Sequence, residues 1–432
     1  MGLDARRAAL VLSGAHGVDH LLKRVFPPLV PVWAVAFGFP LWKLGALLGA
    51  LTLGSALGQT PVGHLSDRYD RRYVLPVGIG LMGLAFVAFP VIPRVDALAV
   101  EVTVAGTALG GHTVAMFATL FVVGLGSSTL HPVGIPLMSQ NVPDGRKGGV
   151  FGMWGSARAF GDGTAPALVG AGLLVTDWTW ILVGFGAAGL LYAGYLFVAL
   201  GDFETRPAGR VDPAEGSSSI LGEDRRLYVY PILAVFAAFV LQLVATSGAL
   251  VFLPEFITSQ YGYTVSAAGF VVTPESTASF YYSALLLTAG VVQVGTGRLV
   301  DRYDHRTVLV VFLLAGAFVL VALIEVAFSP LGLFAVLVLL GATLWGFYPA
   351  RDALISDIAP DDHEGRTFGY LWTGALVVSS ASPAVVGAIG DVAGLRQAFL
   401  LVAGLVVLST LPVVLLRSDR VYVRRVDAGE AD

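Results

Sequence analysis

Near the beginning of the chain, several side chains that can bind a proton or an anion follow one another at helical spacing. His16, Asp19, His20 and Lys23 occupy positions i, i+3, i+4 and i+7, and Arg24 lies one turn beyond His20. A helix would place this stripe on one face. Histidine titrates near neutrality, and a carboxylate beside cations can gain and lose a proton between two states. The stripe therefore predicts proton transfer or anion binding.

Two other interpretations of the stripe are open. A helix that begins later would leave it in water, although residues 21–37 alone are too short and too rich in proline to span a membrane. His16 and His20, with Asp19 beside them, also have the spacing of metal ligands in the inverted H-x-x-E-H pattern. His131 could supply a third zinc ligand. No nucleophile, phosphate loop or cofactor motif accompanies these residues, so we expect no metal, no cofactor and no enzymatic activity.

Further ionisable side chains fall within apolar segments, where each is costly unless it has a partner or a function. Arg158 and Asp162 form an i, i+4 pair that could simply neutralise itself. His131 could only satisfy a neighbouring polar group, and Arg351 and Asp352 could lie at the membrane surface. The predicted substrate- and proton-binding residues are His16, Asp19, His20, Lys23, Arg24, His131, Arg158, Asp162, Tyr348, Arg351 and Asp352.

The composition indicates a membrane protein that must position these residues. The 432 residues are 56% hydrophobic and 13% charged, with a mean hydropathy of +0.78, outside the usual balance of soluble proteins. Apolar stretches of about twenty residues, enough to span a bilayer, recur along the chain. We expect residues 94–112 and 255–276 to be helix extensions or outer loops. The sequence predicts an all-α protein with helices at 8–36, 41–65, 73–93, 113–138, 148–175, 178–200, 229–254, 277–300, 307–328, 331–357, 365–390 and 395–416.

Basic residues are distributed unevenly over this helix map. Of the 26 lysines and arginines, 19 fall at the two ends of the chain or in loops after even-numbered helices, and only 3 in loops after odd-numbered helices. Because basic residues mark the cytoplasmic side of a membrane, both termini and the 201–228 linker are expected in the cytoplasm. The location expected from this pattern is the plasma membrane, crossed many times.

One charged motif occurs twice, after the second and the eighth predicted helix. Gly63-His-Leu-Ser-Asp67-Arg68-Tyr-Asp-Arg-Arg72 returns as Gly297-Arg-Leu-Val-Asp301-Arg302-Tyr-Asp-His-Arg306. A carboxylate at a helix end can hold the N-terminus of a neighbouring helix and pair with arginine, which predicts a latch between conformations. Alternatively, the arginines only fix the topology. The predicted latch residues are Gly63, Asp67, Arg68, Arg71, Arg72, Gly297, Asp301, Arg302 and Arg306.

The repetition extends beyond this motif. At an offset of 217 residues, His131-Pro132 matches Tyr348-Pro349, and Ala165-Pro166 matches Ser382-Pro383. Because each half has six helices, both halves enter the bilayer in the same orientation, and parallel repeats of this kind suit a transporter with its substrate site between the halves. The predicted units are an N-terminal six-helix bundle at 1–200, a cytoplasmic linker at 201–228, a C-terminal six-helix bundle at 229–417 and a cytoplasmic tail at 418–432.

The repeated motif resembles the signature of the major facilitator superfamily. Gly63-x-Leu65-x-Asp67-Arg68-x-x-Arg71-Arg72 is similar to its loop between helices 2 and 3, although the family often has glycine where this chain has Asp70 and Asp304. The string Gly124-Leu-Gly-Ser-Ser-Thr-Leu-His131-Pro132, with the run around Asp19, further resembles the fosmidomycin-resistance branch of drug exporters. The resemblance implies a 6+6 fold whose helices 1, 4, 7 and 10 line a central cavity.

These features together predict a secondary transporter that works by alternating access. We expect proton-coupled export of small amphipathic compounds or drugs, with Asp19 and its neighbouring histidines as the coupling site. The alternative is an importer or symporter of a small anionic metabolite, which Lys23, Arg24, Arg158 and Arg351 would bind; an intramembrane metalloenzyme is a remote third. Expected partners are a small-molecule substrate, protons and the lipid bilayer, without nucleic acid, and the expected state is a monomer.

Overall fold

The architecture is all-α apart from two short β-hairpins. The computed structural model describes residues 3–104, 107–143, 146–206, 228–267, 270–359 and 364–422. The helices of the first half are α1 (Leu3–Lys23), α2 (Phe26–Phe37), α3 (Leu41–Arg68), α4 (Arg71–Ala88), α5 (Gly111–Ser127), α6 (Leu130–Asn141), α7 (Lys147–Leu173) and α8 (Trp178–Ala199). Those of the second half are α9 (Val229–Gln260), α10 (Pro274–Val300), α11 (His305–Glu325), α12 (Pro330–Leu344), α13 (Tyr348–Ile358), α14 (Glu364–Ser379), α15 (Ser382–Ala393) and α16 (Leu395–Leu415).

These helices combine into the twelve predicted spans, but four spans are broken. The pairs α1/α2, α5/α6, α12/α13 and α14/α15 each form one interrupted span. In every case the second helix carries a proline at its second or third residue: Pro27, Pro132, Pro349 and Pro383. Proline lacks an N–H, so it is well suited to the first turn of a helix, where these four lie; other prolines, such as Pro61 and Pro254, are accommodated within unbroken helices. The prediction of continuous helices at 8–36, 113–138, 331–357 and 365–390 is therefore wrong at these points.

The two mildly apolar regions are mainly hairpins and short turns. In the first, β1 (Glu101–Val104) pairs with β2 (Thr107–Gly110) in antiparallel register after short 3-10 turns at Phe89–Arg94 and Asp96–Leu98. In the second, β3 (Val265–Ala267) pairs with β4 (Phe270–Val272) in the same way. We call this end of the molecule the hairpin end. The opposite end, which carries loops 69–70 and 301–304, is the charged-loop end.

Hydropathy separates two spans from the others. Among the described residues, ten helical segments are long and apolar enough to cross a membrane. The first span, α1 with α2, and the fifth, α7, are absent from this group. They carry the polar stripe and the Arg158–Asp162 pair, and the structure buries both Asp19 and Asp162 inside the protein. These two spans pack against each other, so their polar faces meet within the first half.

The two halves meet through small residues toward the hairpin end and at mid-length. Helices α3 and α15 approach so closely that a Cβ on Gly45 would overlap the carbonyl of Pro383, and one on Gly387 would overlap the carbonyl of Leu41. Helices α7 and α10 also pack at a glycine, since a Cβ on Gly163 would overlap the side chain of Leu287. Small residues allow this approach between membrane helices. The contact leaves no space between α3 and α15 at the hairpin end.

At the charged-loop end the same helices diverge. A Cβ on Gly152 or Gly155 of α7, or on Gly295 or Gly297 of α10, would meet no atom of the described residues within 4 Å. The halves are therefore closed at the hairpin end and separated at the charged-loop end.

Candidate functional site in the central cavity

The polar stripe of α1 meets α7 because both helices carry glycine at the crossing. A Cβ on Gly161 would overlap the carbonyl oxygen of Gly17, and one on Gly17 would lie 3.1 Å from the carbonyl oxygen of Ala157. Two helices can approach this closely only where side chains are absent. The crossing places Asp162, the residue after Gly161, beside the charged face of α1.

Asp162 is the acceptor on which three side chains converge. Its Oδ1 accepts hydrogen bonds from Arg24 Nε at 2.7 Å and from His20 Nδ1 at 3.0 Å. Its Oδ2 lies 3.4 Å from Arg158 NH1 on the preceding turn of α7. The predicted i, i+4 pair therefore forms, but it is one part of a larger network. Burial is tolerated because the carboxylate is paired and hydrogen-bonded.

Asp19 forms a second ion pair in the same cluster. The carboxylate is fully buried, and its Oδ2 lies 2.7 Å from Lys23 Nζ. The same oxygen lies 3.9 Å from His20 Nε2, while the other ring nitrogen of His20 is bonded to Asp162. His20 therefore lies between the two buried carboxylates, hydrogen-bonded to Asp162 and 3.9 Å from Asp19.

His16 is the third member of this cluster on α1 that contacts α7. Its Nδ1 donates a hydrogen bond of 2.9 Å to the carbonyl oxygen of Trp154, and its ring lies 4.2 Å from the indole. Because a carbonyl only accepts, Nδ1 carries the hydrogen, and in the neutral ring Nε2 is then a free acceptor. That Nε2 is buried and has no hydrogen-bond partner among the described residues. The ring of His131 lies 5.4 Å away, so side chains of α1, α6 and α7 meet at this point.

The cluster borders a cavity of about 230 Å³ between the two halves. Helices of the first half contribute most of its charged and polar lining, and the second half contributes aromatic and aliphatic side chains. The polar and aromatic lining residues are His20, Lys23, Arg24, Phe26, Thr52, Ser55, Gln59, His131, Arg158, Thr246, Ser247, Tyr348 and Trp372. The helix breaks before Pro27, Pro132, Pro349 and Pro383 surround this cavity, as expected for discontinuous helices at a transport site.

Arg351 and Asp352 lie apart from the cluster. The Arg351 guanidinium is buried with its centre 4.5 Å from the ring of Tyr348, 4.7 Å from Phe239 and 5.1 Å from Trp372. It lines a smaller neighbouring cavity and lies 2.8 Å from Asp352, whose side chain is 49% exposed. Arg351 therefore supports the aromatic wall from behind and does not line the central cavity.

The arginines of the charged loops bind within their own halves. Arg71 donates to Ser66 Oγ and to Gln140 Oε1, both at 2.9 Å. Arg72 donates to the carbonyl of Phe197 near the end of α8, and Arg306 donates in the same manner to the carbonyl of Leu416 after α16. Cations commonly bind the free carbonyls at helix C-termini. These bonds attach each loop to the final span of its own half.

The acids of the charged loops are in a different situation. Asp67 is 79% exposed and 3.9 Å from Arg71, so in this conformation it holds no neighbouring helix. Of the other predicted latch residues, Gly63 and Gly297 are partly buried, and Arg68, Asp301 and Arg302 are exposed at the surface. The latch remains a prediction about another conformation.

Two residues that contribute to the site and to the contact between the halves were not predicted from the sequence. Trp154 lies one turn before Arg158 and two turns before Asp162 on the same face of α7, a spacing that could have revealed it. Asp391, an acid at the end of the apolar helix α15, accepts hydrogen bonds from the backbone N–H groups of Leu41 and Trp42 at 2.8 and 2.9 Å. It joins the second half to the first residues of α3.

The histidine cluster has the residue types of a metal site but not the arrangement. Within the described part of the chain, no group of three or more histidine, aspartate or glutamate side chains is arranged to hold a metal ion. The arrangement supports exchange of protons and binding of anions through hydrogen bonds and ion pairs.

Comparison with known proteins agrees with this architecture. The model of the Major Facilitator Superfamily matches residues 12–275 and 272–431. The uncharacterized MFS-type transporter YfnC of Bacillus subtilis is 23% identical over 430 residues, which cover 95% of this chain and 93% of YfnC.

Solved structures share the fold at low sequence identity. A bacterial homologue of the human lysosomal transporter Spinster, in an inward-facing and occupied conformation, has a TM-score of 0.78 and 15% identity over 98% of each chain. The xylose transporter XylE from E. coli, in an inward open conformation, has a TM-score of 0.70 and 13% identity over 95% of each chain. These relatives are transporters and not enzymes. The chain belongs to the Major Facilitator Superfamily and is a multi-pass membrane protein that acts as a secondary transporter of small molecules.

Proposed function

We propose that this transporter couples the export of small amphipathic compounds to proton movement, with Asp19 as the proton carrier. One observation carries the proposal: a fully buried carboxylate on the first span is paired at 2.7 Å with Lys23, a residue that lines the central cavity. An ionisable residue buried at membrane depth is costly to keep, and such residues mark ion and substrate pathways.

Protonation of Asp19 would cancel its charge and release the Lys23 ammonium toward the cavity. Loss of the proton would restore the pair and withdraw Lys23 from a bound substrate. His20 would pass the proton to Asp19 once the 3.9 Å gap between its Nε2 and Asp19 Oδ2 shortens to hydrogen-bond distance, while its Nδ1 is bonded to Asp162. The Asp19 carboxylate and an anionic substrate would therefore compete for the same cation, so proton binding at Asp19 and anion binding at Lys23 would favour each other and be coupled.

The proposed motion is rocking of the first half against the second. Its support is the asymmetry of the contacts, which close the hairpin end through α3 and α15 and leave α7 and α10 apart at the charged-loop end. Since the excess of basic residues assigns the charged-loop end to the cytoplasm, this conformation would open inward. Parallel six-helix repeats are suited to such rocking around a central site. The proposed location is the plasma membrane, with both termini in the cytoplasm.

A second candidate is import or symport of a small anionic metabolite. It is favoured by three cationic side chains in the cavity wall, Lys23, Arg24 and Arg158. Both candidates use the same proton site and the same cavity. They differ in the direction of net substrate flux.

Flux measurements in liposomes test the coupling. Purified protein is reconstituted with an imposed proton gradient of either sign, and uptake or release of drugs and organic acids is followed. We expect gradient-driven flux in the wild type and its loss in Asp19→Asn, while Asp202→Asn, an exposed acid paired with Arg7, behaves as the wild type. Equal coupling in Asp19→Asn and the wild type would refute Asp19 as the proton carrier. The sign of the proton gradient that drives substrate accumulation identifies the direction of transport.

A further inference from the structure

The charges around the central cavity do not balance. Lys23, Arg24 and Arg158 are cationic, and the carboxylates that face them are Asp19 and Asp162. With the neighbouring histidines neutral, one positive charge is in excess. Arg351 and Asp352 pair with each other beside the cavity and leave this excess unchanged. An uncompensated charge at a partly buried site is costly, so a ligand that brings one negative charge would be stabilised there.

Arg158 is the cavity cation whose N–H donors are least engaged in hydrogen bonds. A guanidinium has five N–H groups in a planar fork. In this structure its side-chain contacts are long, 3.4 Å from NH1 to Asp162 Oδ2 and 3.5 Å from NH2 to Gln293 Oε1. Arg24, in contrast, is bonded to Asp162 at 2.7 Å, and Lys23 lies 2.7 Å from Asp19. Arg158 is therefore the side chain best able to donate two parallel hydrogen bonds to a carboxylate.

Arg158 also lies where the two halves meet. It projects from α7 of the first half, and its guanidinium lies 5.6 Å from the ring centre of Tyr348 on α13 and near Gln293 on α10 of the second half. An anion bound to Arg158 would therefore contact residues of both halves. A ligand at such a position can couple its own binding to the movement of one half against the other.

Another part of the cavity wall is apolar. It consists of aliphatic side chains with aromatic rings among them: Phe26, Leu48, Leu51, Leu250, Trp372 and Leu376. Such a surface favours a hydrocarbon or aromatic body through removal of apolar area from water. The cavity volume of about 230 Å³ restricts that body to a small molecule.

We infer that the substrate is an amphipathic monocarboxylate, whose carboxylate binds Arg158 and whose apolar body lies against the Phe26 and Trp372 side of the cavity. This inference rests on the proposed transport function and names the substrate class of its site. A second negative charge on the ligand would have no matching cation, because the excess is a single charge. A positively charged ligand would add to the excess.

Binding of matched naphthalene derivatives tests the inference. The full-length protein in lipid nanodiscs is titrated at equilibrium, without a proton gradient, with 1-naphthoate, 1-naphthamide, 1-naphthylmethylamine and naphthalene-1,4-dicarboxylate. We expect 1-naphthoate to bind on the order of tenfold or more tightly than the other three, as one charged hydrogen-bond pair provides. Arg158→Gln should remove this preference and Arg158→Lys should keep part of it. The control Arg396→Gln, which alters an exposed pair with Glu325, should keep all of it.

Several results would overturn the inference: no binding of 1-naphthoate by the wild type, equal binding of the amide or the dicarboxylate, or an unchanged preference in Arg158→Gln. Thermal unfolding without ligand checks that each variant is folded. Should Arg158→Gln fail to fold, the carboxylate-to-amide ratio of the wild type and of Arg158→Lys decides. If the wild type preferred 1-naphthylmethylamine while proton-driven flux remained intact, the substrate class would be overturned and the proposed transport function would stand. Naphthoate binding with flux independent of Asp19 would overturn only the proton coupling.

Discussion

In loops that resemble these two, glycine often occupies the position of Asp70 and Asp304. Here each aspartate caps the N-terminus of a helix, α4 and α11. Their carboxylates accept hydrogen bonds from the backbone N–H groups of Arg72 and Thr307, both at 3.0 Å. A carboxylate at this position satisfies a free N–H and is favoured by the helix dipole. At Asp304, burial acts to raise the pKa of the carboxyl, but hydrogen bonds from Arg306 and Thr307 outweigh it, so the pKa lies below its ordinary value.

We expect Asp304→Ala to lower the stability of the second half by about 1 kcal/mol at neutral pH, as loss of a helix cap does. Since the folded-state pKa is lowered, the contribution is full above the ordinary carboxyl pKa of about 4 and is lost as the pH falls through the folded value. The difference in melting temperature between wild type and variant should therefore narrow in acid. Asp301→Ala, an exposed acid at the end of α10, serves as the control. An equal loss in that control would argue against the capping explanation.

Among the helices, α3 and α15 form the contact that closes the hairpin end. Glycines at 45 and 387 bring their backbones together, and the Asp391 carboxylate of α15 binds the first two N–H groups of α3. The bond joins an acid of one half to the N-terminal dipole of a helix in the other. Opening the hairpin end must break it.

We expect Asp391→Ala to favour opening at the hairpin end. The chain has no cysteine, so Thr52→Cys on the cavity wall provides a single reporter for a membrane-impermeant thiol reagent. Labelling from the hairpin side should be faster in the Asp391→Ala background, because one interhalf contact is lost.

The matched control for this experiment is Asp177→Ala. Asp177 caps α8 at the hairpin end by accepting from Thr179 N at 2.7 Å, and both residues belong to the first half. Loss of that cap should leave the labelling rate of the reporter unchanged. Equal acceleration in both variants would mean that local loosening, and not release of the contact between halves, exposes the cavity.

At the scale of the whole molecule, the repeat places loops 69–70 and 301–304 at the same end. Arg72 and Arg306 beside these loops are bonded to the last spans of each half, through Phe197 and Leu416. Basic loops of this kind stay in the cytoplasm during insertion. The orientation of the molecule is therefore predicted from the distribution of charge and can be measured directly.

We expect Val175→Cys, exposed between α7 and α8 at the hairpin end, to react with an impermeant thiol reagent added to intact cells. Tyr303→Cys, exposed in the opposite charged loop, should react only after permeabilisation, since the reagent cannot cross the bilayer. The reverse pattern would place both termini outside the cytoplasm and would invert the proposed inward opening.

Part of the fold and of the site could be predicted from local sequence signals. Among the described residues, ten of the twelve spans follow from apolar length, and the α1 stripe follows from spacing on one helix; the structure contains both. The helix breaks were not predicted, because proline alone does not mark them: Pro132 and Pro349 lie at breaks, but Pro61 and Pro254 lie within unbroken helices. Arg351 was grouped with the site because its segment was expected to line the cavity. Its side chain instead lies behind the aromatic wall, which no local pattern could indicate.

The sequence by itself determined the class of protein, the number of spans, the duplication and the identity of the costly polar residues, because each depends on composition or spacing along one helix. Only the tertiary structure decided that His20 and Arg24 join Arg158 at Asp162, since that meeting depends on the glycine crossing of α1 and α7. It also decided which end is closed. Those contacts join residues more than a hundred positions apart, and chain connectivity places no restriction on such pairs.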